Sequence, residues 1–131
     1  MVSKEIIFDK NLAKIQLLFI LNSTKKFKQS EIEKKTKLSK KTVIKWLGRL
    51  KPFNMIKTEE IGRTILYYAN LDNPVLRQYK ILINVSFIYE TALIIAKELE
   101  CEVYLYGSAA RGEDTEKSDI DIFIEAKETK I

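Results

Sequence analysis

Two short runs in the last third of the chain hold the residues best suited to chemistry. Gly107-Ser108 closes an apolar run, and Asp119-Ile120-Asp121-Ile122 opens the next one. If residues 120–124 form a strand, side chains two apart share a face. Asp119 and Asp121 then project side by side. Two carboxylates one strand step apart suit a hard cation held by oxygen ligands, such as Mg²⁺ carrying a phosphate. Gly107 permits the close backbone approach a phosphate needs, and Ser108 adds a hydroxyl and a backbone N–H. Arg111 can bring a planar fork to phosphate oxygens. The plain alternative is a simple turn followed by a solvated strand edge.

The string Tyr106-Gly107-Ser108, ten residues (109–118), then Asp119-Ile120-Asp121-Ile122 resembles the signature of the DNA polymerase β-type nucleotidyltransferase superfamily. With Arg111, Gly112 and Ser118 in place, the string looks most like the minimal nucleotidyltransferase branch, and the resemblance covers roughly residues 80–126. It implies an NTP, with ATP the expected nucleotide, held by Gly107, Ser108, Arg111 and Ser118. It also implies Mg²⁺ on Asp119 and Asp121, with Asp119, Asp121, Ser108 and Arg111 as the catalytic set. The acceptor it suggests is a protein or other hydroxyl, as in antitoxin-like members. Family enzymes carry a third carboxylate on a later strand. Here the sequence ends at Ile131, ten residues after Asp121. The expectation is therefore a piece of a longer protein, or a partial nucleotidyltransferase-like unit.

These residues need elements to hold them, and composition bounds the choice. The chain has 131 residues, 46% of them hydrophobic and 31% charged, which fits one ordinary globular domain or two small ones. The first residues show no signal-peptide pattern, and apolar runs such as residues 17–21 are too short to cross a bilayer. A cytoplasmic protein with no membrane partner is expected. One cysteine, Cys101, excludes an internal disulfide and is expected to be a buried structural thiol. With no histidine, Ser-His and Cys-His catalysis are excluded, and a zinc site nearly so. Charge is split. Residues 1–71 hold 16 Lys+Arg against 6 Asp+Glu, a net +10, whereas residues 72–131 hold 7 against 12, a net −5. Such a division suggests two modules, the basic one suited to nucleic acid.

In the basic half, Asp9 is expected to cap a helix to about Leu21, with Leu12, Ile15, Leu18 and Phe19 at core spacing. Ser30 with Glu33 makes a capping-box pattern for a short second helix ending near Lys37-Leu38. Ser39 then caps a third helix through about Lys51, stopped by Pro52. Val43, Leu47 and Leu50 share one face, with Trp46 beside them as a core residue. Lys41, Lys45 and Arg49 form a stripe on another, flanked by Lys40 and Thr42. A short helix, a tight turn and a basic third helix make a helix-turn-helix. Leu38-Ser39-Lys40-Lys41-Thr42-Val43 resembles the turn and recognition-helix start of many winged-helix regulators. Residues 55–60 and 64–71 read as a hairpin about Gly62-Arg63, which would be the wing, with Arg63 at its tip.

In the acidic half, Asp72-Asn73-Pro74 reads as a helix start. The apolar stretch to Leu99 reads as one long helix, or two bent near residues 84–86, covered on several sides. Strands follow at residues 103–106 and 120–124. The expected fold is α+β: a winged helix-turn-helix DNA-binding domain over 1–71, then a long helical linker and a partial nucleotidyltransferase-like αβ unit over 72–131. The leading functional expectation is a regulator that binds double-stranded DNA through Lys40, Lys41, Thr42, Lys45, Arg49 and Arg63. Its second module would be a nucleotide sensor. The alternative is a Mg-dependent nucleotidyltransferase. A two-stranded sheet leaves an open edge, so a homodimer is expected to cover it.

Overall fold

A computed structural model describes residues 9–126. It is a mixed α+β structure whose chain divides into two units between Leu76 and Arg77.

The first unit begins with α1 (Lys10–Leu21). The Asp9 carboxylate accepts from the backbone N–H of Asn11 and Leu12, both at 2.9 Å, so it satisfies two otherwise orphaned donors. Leu12, Ile15 and Phe19 are buried one turn apart, as the helical period requires. Two residues, Phe27–Lys28, form β1. The next helix, α2, spans Gln29–Thr36. Its start differs from the expected Ser30–Glu33 box: the Lys28 N–H donates to Glu31 Oε1 at 3.0 Å, and Ser30 lies inside the first turn. Phe27 pairs with Tyr67 and Lys28 with Leu66, so the helix begins where the strand pairing ends. A left-handed Lys37 (φ 58°) closes α2.

The third helix, α3 (Lys40–Leu50), is capped by Ser39, whose Oγ accepts from the Thr42 N–H at 3.2 Å. Strands β2 (Ile56–Ile61) and β3 (Thr64–Ala69) are joined by Gly62-Arg63. Gly62 has φ +62°, and a positive φ at the first central position alone matches a II′ hairpin turn. The antiparallel sheet runs β1-β3-β2. Its inner face and the three helices bury Phe19, Phe27, Ile32, Val43, Trp46 and Leu47 among the core residues. Phe19 and Phe27 meet edge to face at 5.9 Å, a preferred aromatic geometry.

The long helix, α4 (Pro74–Leu99), starts in the first unit. Asn73 caps it, accepting from the N–H of Val75 and Leu76 at 2.9 and 3.0 Å, while its amide donates to the Phe53 carbonyl at 3.1 Å. The helix is continuous, with no break at residues 84–86. It is long and apolar enough, by length and composition, to cross a membrane, which shorter apolar runs had not suggested.

In the second unit, α4 leads through Glu100 to β4 (Cys101–Tyr106), a short helix α5 (Gly107–Ala110), a connector, and β5 (Asp121–Ala126). The two strands are antiparallel, pairing from Cys101↔Ala126 to Tyr106↔Asp121. Within this single chain Leu82, Phe87, Leu93 and Ile94 of α4 are exposed. The Cys101 thiol is half-buried rather than fully enclosed and donates to the Ile95 carbonyl at 3.6 Å.

Candidate nucleotide site and candidate nucleic-acid interface

Gly107 and Asp121 are brought into contact. A Cβ built on Gly107 (φ +74°) would lie 2.8 Å from Asp121 Oδ2. The Asp121 carboxylate thus occupies the space a side chain would take. The positive φ favours glycine at 107, whereas the Asp121 carboxylate, at the end of an exposed side chain, has room to swing aside. Across the ladder, Asp121 pairs with Tyr106, the residue before Gly107. The Gly-Ser turn and the second aspartate therefore meet at one end of the sheet.

Asp119 is placed differently from the expectation. The strand begins at Asp121, so Asp119 and Ile120 lie in the loop before it. The reason is the partner strand. The chain leaves β4 after Tyr106 to form α5, so nothing is left to pair with residues 119 and 120. Strand alternation does not put the two carboxylates on one face. Both remain exposed at the same end of β5. Among the described residues no group of three or more Asp, Glu, Cys or His gathers in a metal-binding cluster. The oxygen donors of Asp119 and Asp121 still fit a hard cation whose remaining ligands would be phosphate oxygens and water.

Ser108 is half-buried in the first turn of α5, and its carbonyl accepts from the Glu113 N–H at 2.9 Å. Arg111 is exposed, and its Nε donates to Glu113 Oε2 at 3.0 Å. Exposed pairs of this kind contribute at most about 1 kcal/mol, so a phosphate can compete for the fork. Ser118 has a local role: its Oγ accepts from the Thr115 N–H at 3.0 Å and folds the connector.

What holds that connector escaped the sequence reading. Lys80 is only 2% exposed, and its ammonium donates to the Asp114 carbonyl, with Asp114 Oδ1 3.8 Å away. The Asn84 amide, one turn on, donates to the Ala109 carbonyl at 3.0 Å and to Asp114 Oδ1 at 2.9 Å. Burial pushes the Lys80 ammonium below the usual lysine value, partly opposed by the charges of Asp114 and Glu116. At Gly112 (φ +66°) a Cβ would meet the Arg77 carbonyl at 2.5 Å, so the connector lies directly on the helix backbone. The available signal was a pair of polar residues at i and i+4 inside an apolar helix.

In the first unit, Lys40, Lys41, Lys45 and Arg49 are exposed on α3. Lys45 Nζ lies 4.6 Å and Arg49 Cζ 5.1 Å from the centre of the Trp46 ring, so both cations rest on a buried indole. The Thr42 hydroxyl accepts from Ser39 Oγ at 2.9 Å, which ties it to the helix cap. Arg63 sits exposed in the hairpin turn. Lys28, Lys40 and Arg63 line one shallow concavity together with Ser30 and Glu33. The fold thus gathers Lys40 and Arg63, which are 23 positions apart in the sequence.

Neither a curated protein nor a solved structure matches the chain. Residues 89–130 match the family model of the nucleotidyltransferase domain. That segment takes in the last turns of α4, both strands, the Gly107-Ser108 turn and the aspartates. The C-terminal part of this chain is thus similar to a nucleotidyltransferase domain.

Proposed function

We propose that the protein is a DNA-binding transcriptional regulator carrying a nucleotidyltransferase-fold module that senses a nucleotide. In this reading residues 1–71 are a winged helix-turn-helix domain. The observation that carries it is the exposed basic face of α3 set beside the Arg63 hairpin. The order of three helices and a two-residue hairpin, with β1 pairing on β3, supports the same reading. Lys40, Lys41, Lys45 and Arg49 would meet the major groove and phosphates, Thr42 would hold the helix start, and Arg63 would reach the neighbouring backbone. Fluorescence anisotropy with short duplexes tests this. Lys45→Ala/Arg49→Ala should weaken binding and flatten the salt slope by about two, the release expected for two phosphate contacts. Unchanged binding would sink the assignment. A homodimer covering the β4–β5 edges, in the cytoplasm, completes the proposal. A mass measurement that stays monomeric at high concentration would remove that part.

A second reading, Mg-dependent nucleotidyl transfer, is favoured by the domain match and by the Gly107–Asp121 contact. Gly107, Ser108 and Arg111 would seat the triphosphate, with Ser118 shaping the loop. Asp119 and Asp121 would hold Mg²⁺, which supplies charge neutralisation at the phosphates. An acceptor hydroxyl, on a protein or another molecule, would bond to the α-phosphorus as pyrophosphate leaves with the cleaved bond's electrons. Its proton would pass to a nearby base or water. Calorimetric titration of MgATP into the protein and into Asp119→Ala/Asp121→Ala separates the readings. Metal-dependent binding lost in the double variant supports a working nucleotide site. No binding leaves the module as a scaffold.

A further inference from the structure

We propose that Asn84 is a positioning residue for nucleotide phosphates, acting through the turn that carries Arg111. The inference rests on the nucleotide-site reading above, which seats the triphosphate on Gly107, Ser108 and Arg111. It starts from a buried amide in an apolar helix. Asn84 is 7% exposed, and Ile81, Leu82, Ile83 and Val85 flank it in the sequence of α4. Burying an amide is costly unless its hydrogen bonds are made. Here the side-chain nitrogen commits both of its N–H donors. One goes to the Ala109 carbonyl at 3.0 Å and the other to Asp114 Oδ1 at 2.9 Å.

Those two acceptors bracket Arg111. The chain between them lies past the end of α5 at Ala110 and well before β5 starts at Asp121, so neither element fixes it. Within the turn, the Arg111 N–H donates to the Gly107 carbonyl at 3.3 Å and the Glu113 N–H to the Ser108 carbonyl at 2.9 Å. The turn is thus one piece that joins Gly107, Ser108 and Arg111, and Asn84 ties both of its ends to α4. Lys80 holds the Asp114 carbonyl from the same helix. The Arg111 backbone is held, while its guanidinium stays exposed and pairs with Glu113 of the same turn. A fixed backbone under an accessible cation lowers the ordering cost of seating a phosphate. An apolar side chain at position 84 could fill the same volume, but it could not reach two acceptors on the turn.

The test is a double-mutant cycle on the full chain, read by calorimetric titration of MgATP. Asn84→Leu should weaken binding roughly tenfold, the scale of one charge-assisted hydrogen bond. In an Arg111→Ala background the same substitution should cost less than about twofold, because the residue it positions is already gone. A purely structural role would instead give losses that add. Asp114→Ala opens the grip from the other side and should also weaken binding, whereas Asp114→Asn keeps an oxygen for Asn84 and should restore it. Hydrogen exchange in residues 101–106 reports whether β4 stays paired in each variant. Wild-type binding with unchanged affinity in Asn84→Leu, or losses that add, overturns the inference and leaves the nucleotide site intact. Loss of β4 protection in both Asn84→Leu and Asp114→Ala makes the grip structural and also overturns it. A wild-type chain that does not bind MgATP overturns the nucleotide-site reading and this inference with it.

Discussion

The two units solve the problem of apolar side chains in opposite ways. Among the described residues, fourteen of the fifteen buried apolar side chains lie in the first unit, and only Ala109 lies in the second. Thirteen of the eighteen large exposed ones lie in the second. The first unit is held by its own core. In the second, a six-residue strand pair and a helix meet at one face, and polar bonds from Lys80 and Asn84 do much of the fixing. The comparison teaches that the first unit encloses its own apolar side chains, while the second leaves most of its large ones exposed.

Paired substitutions can break that contrast. Phe19, 1% exposed, and Phe87, 63% exposed, are the same residue in the two environments. Phe19→Ala should cost about 3–5 kcal/mol in urea unfolding followed by emission of Trp46, the chain's single tryptophan. Next in size is Lys80→Ala, which leaves the Asp114 side chain without its cation. It should cost the second unit about 3 kcal/mol, seen as faster hydrogen exchange in residues 101–114 with the first unit unaffected. Gly107→Ala should have a smaller effect on stability, about 1–2 kcal/mol, because a left-handed position must carry a side chain against Asp121. Phe87→Ala should stay within about 0.5 kcal/mol. A cost near that of Phe19→Ala would show that Phe87 is covered in solution, and the contrast between the units would fall.

The smallest effect is a pH slope. The Lys80 ammonium is pushed below 10.5 in the folded chain. Between that folded value and 10.5 the unfolded chain binds more protons, so this group makes stability rise with pH there. Below the folded value its penalty is fully present. Lys80→Met should remove the rise, and an unchanged slope in hydrogen-exchange stabilities of the second unit would assign it to other groups. The Tyr104 hydroxyl, raised by its bond to Glu102, works in the opposite sense above pH 10 and must be compared in the same variant pair.

Most of the first unit was legible because its signals are local. Asp9 and Ser39 are caps within reach of the N–H groups they serve, and Gly62 marks a two-residue turn. The α2 start was misread because Ser30 and Glu33 fit the same pattern as the bond that forms, Lys28 to Glu31. A two-residue strand such as β1 has no period to read; it exists through pairing with Tyr67 and Leu66, some 40 positions on. The start of β5 failed for a related reason: strand ends are set by the partner.

The amino-acid sequence alone determined the caps, the hairpin turn, the apolar faces of α1 and α3, and the Gly-Ser and Asp-x-Asp motifs. Each depends on residues within a few positions of one another. Only the tertiary structure decided that Asp121 packs on Gly107, that Asp119 stays outside the strand, and that Lys80 and Asn84 grip the connector about thirty residues away. The physical reason is that these contacts require two distant segments to share one volume, and no local propensity encodes where a distant backbone will pass.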